Sequence, residues 1–315
     1  MKKIILFALL AIVVVPTFVM AQDCPTPPAS ATASVTFKRI NPGPTLDGIF
    51  TIDGNGNTVQ FSKGNLQYQA TTNTWQFAAH QYDMIGAANE YISESNTGWI
   101  DLFGWATAGN SASGFHYQPW DSSTENSYGS SQTNHANWNV SDADWAINFE
   151  TAWRTLTEAE WDVLLLYRST SAIVNDTANA RWTFAKILTD GIGTAGVDKD
   201  ICGLILFPDD FDGTNTPIGV SWSEINTFHW NLEAQSTCTT EGWAELEEAG
   251  CVFLPCSGYL VGTTITNIGI EGFYWSATSG DGTQAETLHF PNWNFVYTFE
   301  RHRGHAVRLV HVVSE

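Results

Sequence analysis

Two stretches of this chain carry a helical period, and much of the remainder alternates between apolar and polar positions. Thr157 stands three residues before Glu160, with Leu156 and Trp161 on either side. That is a capping box inside a hydrophobic staple, and it predicts a helix running through Leu164 and Leu165 to about Tyr167. Glu158 and Glu160 are expected to serve this cap and the helix dipole, not acid–base chemistry. A second helix is predicted to start near Thr240, with Glu241 in its first turn. Trp243, Leu246 and Ala249 should share one face, and Gly250 should end it. Residues 48–52 and 58–61 read as strands around Asp53-Gly54-Asn55-Gly56-Asn57, a hairpin turn. This turn lacks the downstream bidentate Glu of a calcium loop. Further strands are expected at 65–69, 75–77, 201–207, 251–254, 273–275, 286–290, 295–299 and 306–313. Few helices, many short strands and long loops make the expected class α+β.

Between residues 96 and 149 neither period is present, while Trp99, Trp105, Trp120, Trp138 and Trp145 recur. A stretch this long in a compact domain is either functional or pinned by its own side chains. Buried indoles whose N–H groups find carbonyls would pin it; sugar stacking is the sharper reading.

Composition narrows the partners. Of the 315 residues 43% are hydrophobic, 13% aromatic and only 15% charged, so a large core is available. Thirteen Lys and Arg against 33 Asp and Glu give a charge of −20, which argues against nucleic acid and anionic bilayers as partners. Lys2 and Lys3 precede an apolar run over 4–15, and Val19-Met20-Ala21 follows. This is the pattern of a signal peptide over 1–21, too short to span a bilayer, which takes about 20 apolar residues. A Pro, Ala and Ser-rich linker is expected over 22–34, then one domain over 35–315 with an N-terminal strand extension. The expected location is periplasmic, cell-surface or secreted. Export permits disulfides among Cys24, Cys202, Cys238, Cys251 and Cys256. The last four allow three pairings, and alternation puts Cys251 and Cys256 on opposite faces, so those two should not pair.

Three blocks carry a family resemblance. Trp153-Arg154-Thr155-Leu156-Thr157-Glu158-Ala159-Glu160-Trp161 resembles the helix start of the formylglycine-generating-enzyme-like proteins. Gly272-Phe273-Tyr274-Trp275-Ser276-Ala277-Thr278 and Gly304-His305-Ala306-Val307-Arg308-Leu309-Val310 resemble their closing strands. The order is that of the secreted Fibrobacter major paralogous domain, and the resemblance spans roughly 153–313. It implies a C-type-lectin-like fold, with two helices against a twisted antiparallel sheet and long irregular loops. The superfamily's copper-binding enzyme uses a cysteine pair near its C-terminus. This chain has no cysteine between Tyr274 and Val310, so that activity is not implied, and no GxSxG, HExxH or P-loop replaces it.

No cofactor is expected. Calcium is left open at Asp209, Asp210 and Asp212, an acidic turn otherwise read as a solvated strand end. Asn292-Trp293-Asn294 is similar to the Trp-Asn-Asp motif of true C-type lectins, with Asn294 where Asp would stand and no Glu-Pro-Asn to complete it. His289, His302 and His305 read as exposed side chains and not zinc ligands. Alternation from Phe295 groups Phe295, Tyr297 and Phe299 on a core face against Val296, Thr298 and Glu300. The candidate ligand surface is therefore His289, Asn292, Trp293, Glu300, His302, Arg303 and His305. The resulting expectation is a non-catalytic recognition module for a protein or carbohydrate ligand. The interval 279–305 also resembles the mutable segment in variable proteins of diversity-generating retroelements. Two further classes fit the same sequence: an enzyme with an unrecognised site, and a structural component of the envelope.

Overall fold

A computed structural model describes residues 45–72, 74–91, 93, 95–105, 153–189, 200–228, 235–280, 284–292 and 295–313. The expected signal segment 1–21, the linker 22–34, and Trp120, Trp138 and Trp145 lie outside them. Among the described residues the chain is mostly β-sheet, with two short α-helices, α1 (Glu158–Asp162) and α2 (Thr240–Glu248).

The capping box forms as the sequence predicts. Glu160 N–H donates to Thr157 Oγ1 at 3.2 Å, and Thr157 N–H donates to the Glu160 carboxylate at 2.8 Å. Arg154 holds the same carboxylate through both Nη atoms, at 2.7 and 2.6 Å. Leu156 and Trp161 are both buried in one core. Past Asp162 the helix widens into a π-turn, Val163–Tyr167. The wide turn buries the consecutive Leu164 and Leu165 and leaves Tyr167 72% exposed. It also frees the Leu165 carbonyl, which accepts from Trp182 Nε1 at 3.0 Å and Arg181 Nε at 2.9 Å. In α2, Thr239 caps Gly242 N–H at 3.1 Å, and Trp243 and Leu246 are buried. Ala249, expected on that face, is exposed instead. The helix stops one residue earlier, with Ala249 as its C-cap. Gly250 follows at φ +88°, the left-handed conformation that favours glycine. A Cβ there would lie 2.6 Å from Gly48 Cα, so the close approach requires glycine as well.

Asp53 is spent on its hairpin turn, accepting from Asn55 N–H at 2.9 Å and Asn57 N–H at 3.0 Å. The Asn57 side-chain amide, which also donates to it, and these backbone bonds hold its carboxyl below the ordinary range. The flanking strands Phe50–Thr51 and Thr58–Phe61 pair antiparallel as expected.

The largest sheet has five strands in the order Val220–Ser221, Ser236–Thr239, Trp182–Leu188, Asp200–Leu206, Val252–Pro255. Ser236–Thr239 runs parallel to Trp182–Leu188, and α2 carries the chain from it to the outer strand Val252–Pro255. Both faces are buried, which is why these strands read as apolar runs. Trp182, Phe184, Leu204, Leu206 and Leu254 enter one core; Ala185, Ile187, Ile205, Phe207 and Phe253 enter another. Cys251 belongs to the second core and Cys256 to the first, so they do face opposite ways.

The three blocks of the family resemblance meet in space. Ala277 N–H donates to Leu156 O at 2.8 Å, and Glu158 N–H donates to Thr278 Oγ1 at 3.0 Å, tying the start of α1 to the strand Gly272–Ser279. Tyr274 and Arg308 then reach the outer strand together. Tyr274 Oη donates to Pro255 O at 2.9 Å, and Arg308 Nη2 donates to Phe253 O at 2.6 Å. Asn65 bridges them, donating to Tyr274 Oη at 3.2 Å and accepting from Arg308 Nε at 3.1 Å. Beside them the Gln81 amide accepts from Phe253 N–H at 2.8 Å and donates to Cys251 O at 3.0 Å. Arg308 is almost fully buried among neutral oxygens. Burial brings its pKa down to about 10, and it stays charged at neutral pH. The strand expected over 306–313 is shorter than its apolar run. Val310–Val312 forms a ladder, while Ala306 and Val307 make single bonds to Phe273, Trp275 and Leu66 as the chain passes between sheets.

Candidate functional site

The candidate residues lie on and after an antiparallel sheet of three strands, Gly272–Ser279, Gln284–Phe290 and Val296–Glu300. Alternation gives it two faces. Tyr274, Leu288 and Phe290 enter the core that packs under the five-stranded sheet. Phe273 and His289 stand opposite each other, as do Trp275 and Thr287, and these look the other way with Tyr297 and Phe299. Phe295 departs from the expected grouping. The strand begins only at Val296, and Phe295 turns into the same core against which Val296 packs. The ring face of this strand is thus Tyr297 and Phe299 alone.

Two of the three histidines are interior. His305 is 0% exposed, which corrects its placement on the surface. Its ring stacks on Trp275 with centroids 4.1 Å apart and lies 5.4 Å from Phe299. Its backbone is clamped on Phe103, with N–H to O distances of 3.0 and 2.9 Å. Gly304 lets the chain dive inward: a Cβ there would sit 2.8 Å from Leu260 Cβ. The His305 Nδ1 meets Thr287 Oγ1 at 3.2 Å, while Nε2 makes no hydrogen bond among the described residues. Burial first, then the Arg303 charge, drives its pKa well down, so the ring is neutral. His289, 9% exposed, likewise stacks on a ring, Phe273, at 4.3 Å. Its Nδ1 meets Asn292 Nδ2 at 3.2 Å, and its Nε2 lies 3.7 Å from Glu271 Oε1. Burial lowers its pKa against the pull of Glu271. His302 is half-buried, and burial lowers its pKa too.

What stays at the surface is a strip centred on Arg303. Its guanidinium carbon lies 5.3 Å from the Tyr259 ring centre and 5.4 Å from that of Phe299. Its Nε is 2.7 Å from Glu300 Oε2, an ion pair whose N–H points off the carboxylate line. Its side chain keeps 26% exposure. Asn292 accepts from Tyr297 Oη at 3.3 Å, and the His289 ring beside both lies 5.6 Å from that of Phe299. Trp293 and Asn294 lie outside the described residues. Sequence reasoning missed Tyr259 and Glu271, and it grouped Tyr297 with Phe299 by alternation but assigned both to the core face. Tyr259 carries no local signal, because paired bonds between Leu260 and Gly304, 2.8 Å each, bring it beside Arg303 from a distant segment. A guanidinium over two rings with a carboxylate beside it offers stacking and directional hydrogen bonds to a ligand.

Two of the other carboxylates singled out in the sequence have separate partners. Asp209 takes Arg168 Nη1 at 2.6 Å and Thr51 Oγ1 at 2.6 Å. Asp212 takes Thr214 Oγ1 at 2.6 Å, and Asp210 is exposed. Asp101, nearly fully buried, accepts from Ile85 N–H and Asn89, and burial raises its pKa to about 6. Among the described residues no three His, Cys, Asp or Glu converge as a metal site would require. Among the same residues no helix is long and apolar enough to cross a membrane. Trp105, from the long tryptophan-rich stretch, is buried with its indole N–H on Ser276 O at 2.9 Å, the pinning expected of it. No family model, curated protein or solved structure matches the chain.

Proposed function

We propose that this protein is an exported, non-catalytic recognition module of C-type-lectin-like fold, related to the Fibrobacter major paralogous domain. It takes a protein or carbohydrate ligand on the strip around Arg303. The fold reading is supported by the meeting of its three sequence blocks: the start of α1 on the strand Gly272–Ser279, and Tyr274 with Arg308 on one outer strand. The observation that carries the function is the guanidinium of Arg303 held between Tyr259 and Phe299 while partly open to solvent. Rigid aromatic and Arg side chains give large contact area at low ordering cost, the usual make-up of a binding hot spot. The body cysteines are buried, and burial raises the pKa of Cys238, Cys251 and Cys256, an environment that disfavours a catalytic thiolate in the folded chain. A glycan array and a pull-down with the chain lacking residues 1–21 test the proposal. A ligand whose capture is lost in Arg303→Ala supports it. Undiminished capture by Arg303→Ala places the ligand elsewhere, and turnover of any captured compound replaces the module with an enzyme.

A further inference from the structure

The alternation that separates Cys251 from Cys256 also sorts the other two body cysteines. Cys202 shares the core of Cys256, on one face of the five-stranded sheet, and Cys238 shares that of Cys251 on the other. The register of Asp200–Leu206 with Val252–Pro255 sets Gly203 opposite Pro255. One step along, Cys256 N–H donates to Cys202 O at 2.8 Å, so these two cysteines stand directly opposite each other on the same face. Opposed residues of a hydrogen-bonded antiparallel pair lie about 5.5 Å apart at Cα, within the roughly 4.4–6.8 Å that a disulfide spans. Cys238 lies near enough to Cys251 to help raise its pKa, but its register sets it against Ile187, two strands away from the outer one, so no ladder places it opposite a cysteine.

We infer that Cys202 and Cys256 are a disulfide site, closed when the chain folds in the presence of a disulfide oxidant. The proposed export explains where that oxidant is met, and the geometry stands without it. Both residues are buried once folded, and burial drives the Cys256 thiol well up, so exchange belongs to the folding chain, before the outer strand docks. One cysteine thiolate attacks a sulfur of oxidised glutathione, releasing one glutathione and leaving a mixed disulfide. The second thiolate attacks the protein-side sulfur of that bond, forms Sγ–Sγ and releases the other glutathione. Two electrons pass from the cysteines to glutathione disulfide, and the two thiol protons end on the two glutathione thiols.

The test refolds the full chain from its reduced, unfolded state with and without a glutathione redox buffer, then alkylates it in denaturant and maps peptides without reduction. The expected result is a Cys202–Cys256 linked peptide pair, lighter by two hydrogens than its parts and abolished by reductant. The oxidised protein should melt roughly 5–10 °C above the reduced one, and Cys202→Ser or Cys256→Ser should remove both the link and the difference. Recovery of Cys202 or Cys256 alkylated from the oxidised protein, or linked to any other cysteine, overturns the inference. Because the oxidant is supplied in vitro, failure here is independent of whether the chain is exported or binds a ligand.

Discussion

Arg303 and Arg308 come from one short segment, yet they do opposite work. Arg308 is closed in among oxygens of Asn65, Ser62 and Phe253 at 2.6–3.1 Å, fully withdrawn from water. Arg303 leans on ring faces and one partly exposed carboxylate. The difference is in what would be left behind. Taking away Arg308 strands buried carbonyls, each costing its full desolvation penalty. Removing Arg303 returns Glu300 to solvent it already touches. A side chain with several buried dependants is scaffold; one with exposed neighbours is available to a ligand.

Four experiments bear on this contrast. The largest effect is expected from Arg308→Met, a loss of about 3–5 kcal/mol in denaturant unfolding. Arg308→Lys should recover little, since a single ammonium cannot reproduce the fork. A loss under about 1 kcal/mol would mean that water serves those carbonyls. Tyr274→Phe removes one buried hydroxyl with a donor and an acceptor role, and calorimetry should read about 1–2 kcal/mol.

The third experiment uses acid. His305 is neutral in the fold, with its pKa well below the ordinary 6.5, so the unfolded chain binds the extra proton first. Stability from this residue is therefore present at neutral pH and is lost as pH falls below about 6.5. Asp101 works in the opposite sense. Its carboxyl, raised from 3.8 to about 6, adds stability as pH falls through that window. Subtracting the unfolding profile of His305→Phe from that of the parent isolates the histidine, and an unchanged slope between pH 7 and 5 would show that His305 reaches water. The smallest stability effect is expected from Arg303→Ala, under about 1 kcal/mol for a partly exposed pair. Ligand affinity should fall about tenfold or more. A large melting shift in this variant would move Arg303 into the scaffold class and end the contrast.

Local chemistry was the legible part of this sequence. Thr157 with Glu160, the Asp53 turn, the glycine stop at Gly250 and the opposed facing of Cys251 and Cys256 each depend on residues a few positions apart, and each forms as read. The candidate set was legible as a neighbourhood but not in its exposure. Alternation tells which residues share a face; it does not tell that Phe103, from a distant segment, clamps the His305 backbone, or that the Tyr259 ring comes within 6.4 Å of the His305 ring. The π-turn after α1 and the shift of Phe295 to the opposite core have the same origin, since tertiary packing overrides a regular period where a strand or helix ends.

The outer strand Val252–Pro255 has a consequence for how this protein behaves in company. A sheet edge with unspent N–H and C=O groups recruits strands from other molecules. Here the outward groups of Cys251 and Phe253 are taken by Gln81 and Arg308. Pro255 brings no N–H, and its carbonyl is held by Tyr274. The border is thus finished by side chains, leaving no template on which a second chain could grow. A protein of many short strands, crowded with copies of itself, is kept from self-templated association on this side by the same tyrosine and arginine that join its motifs.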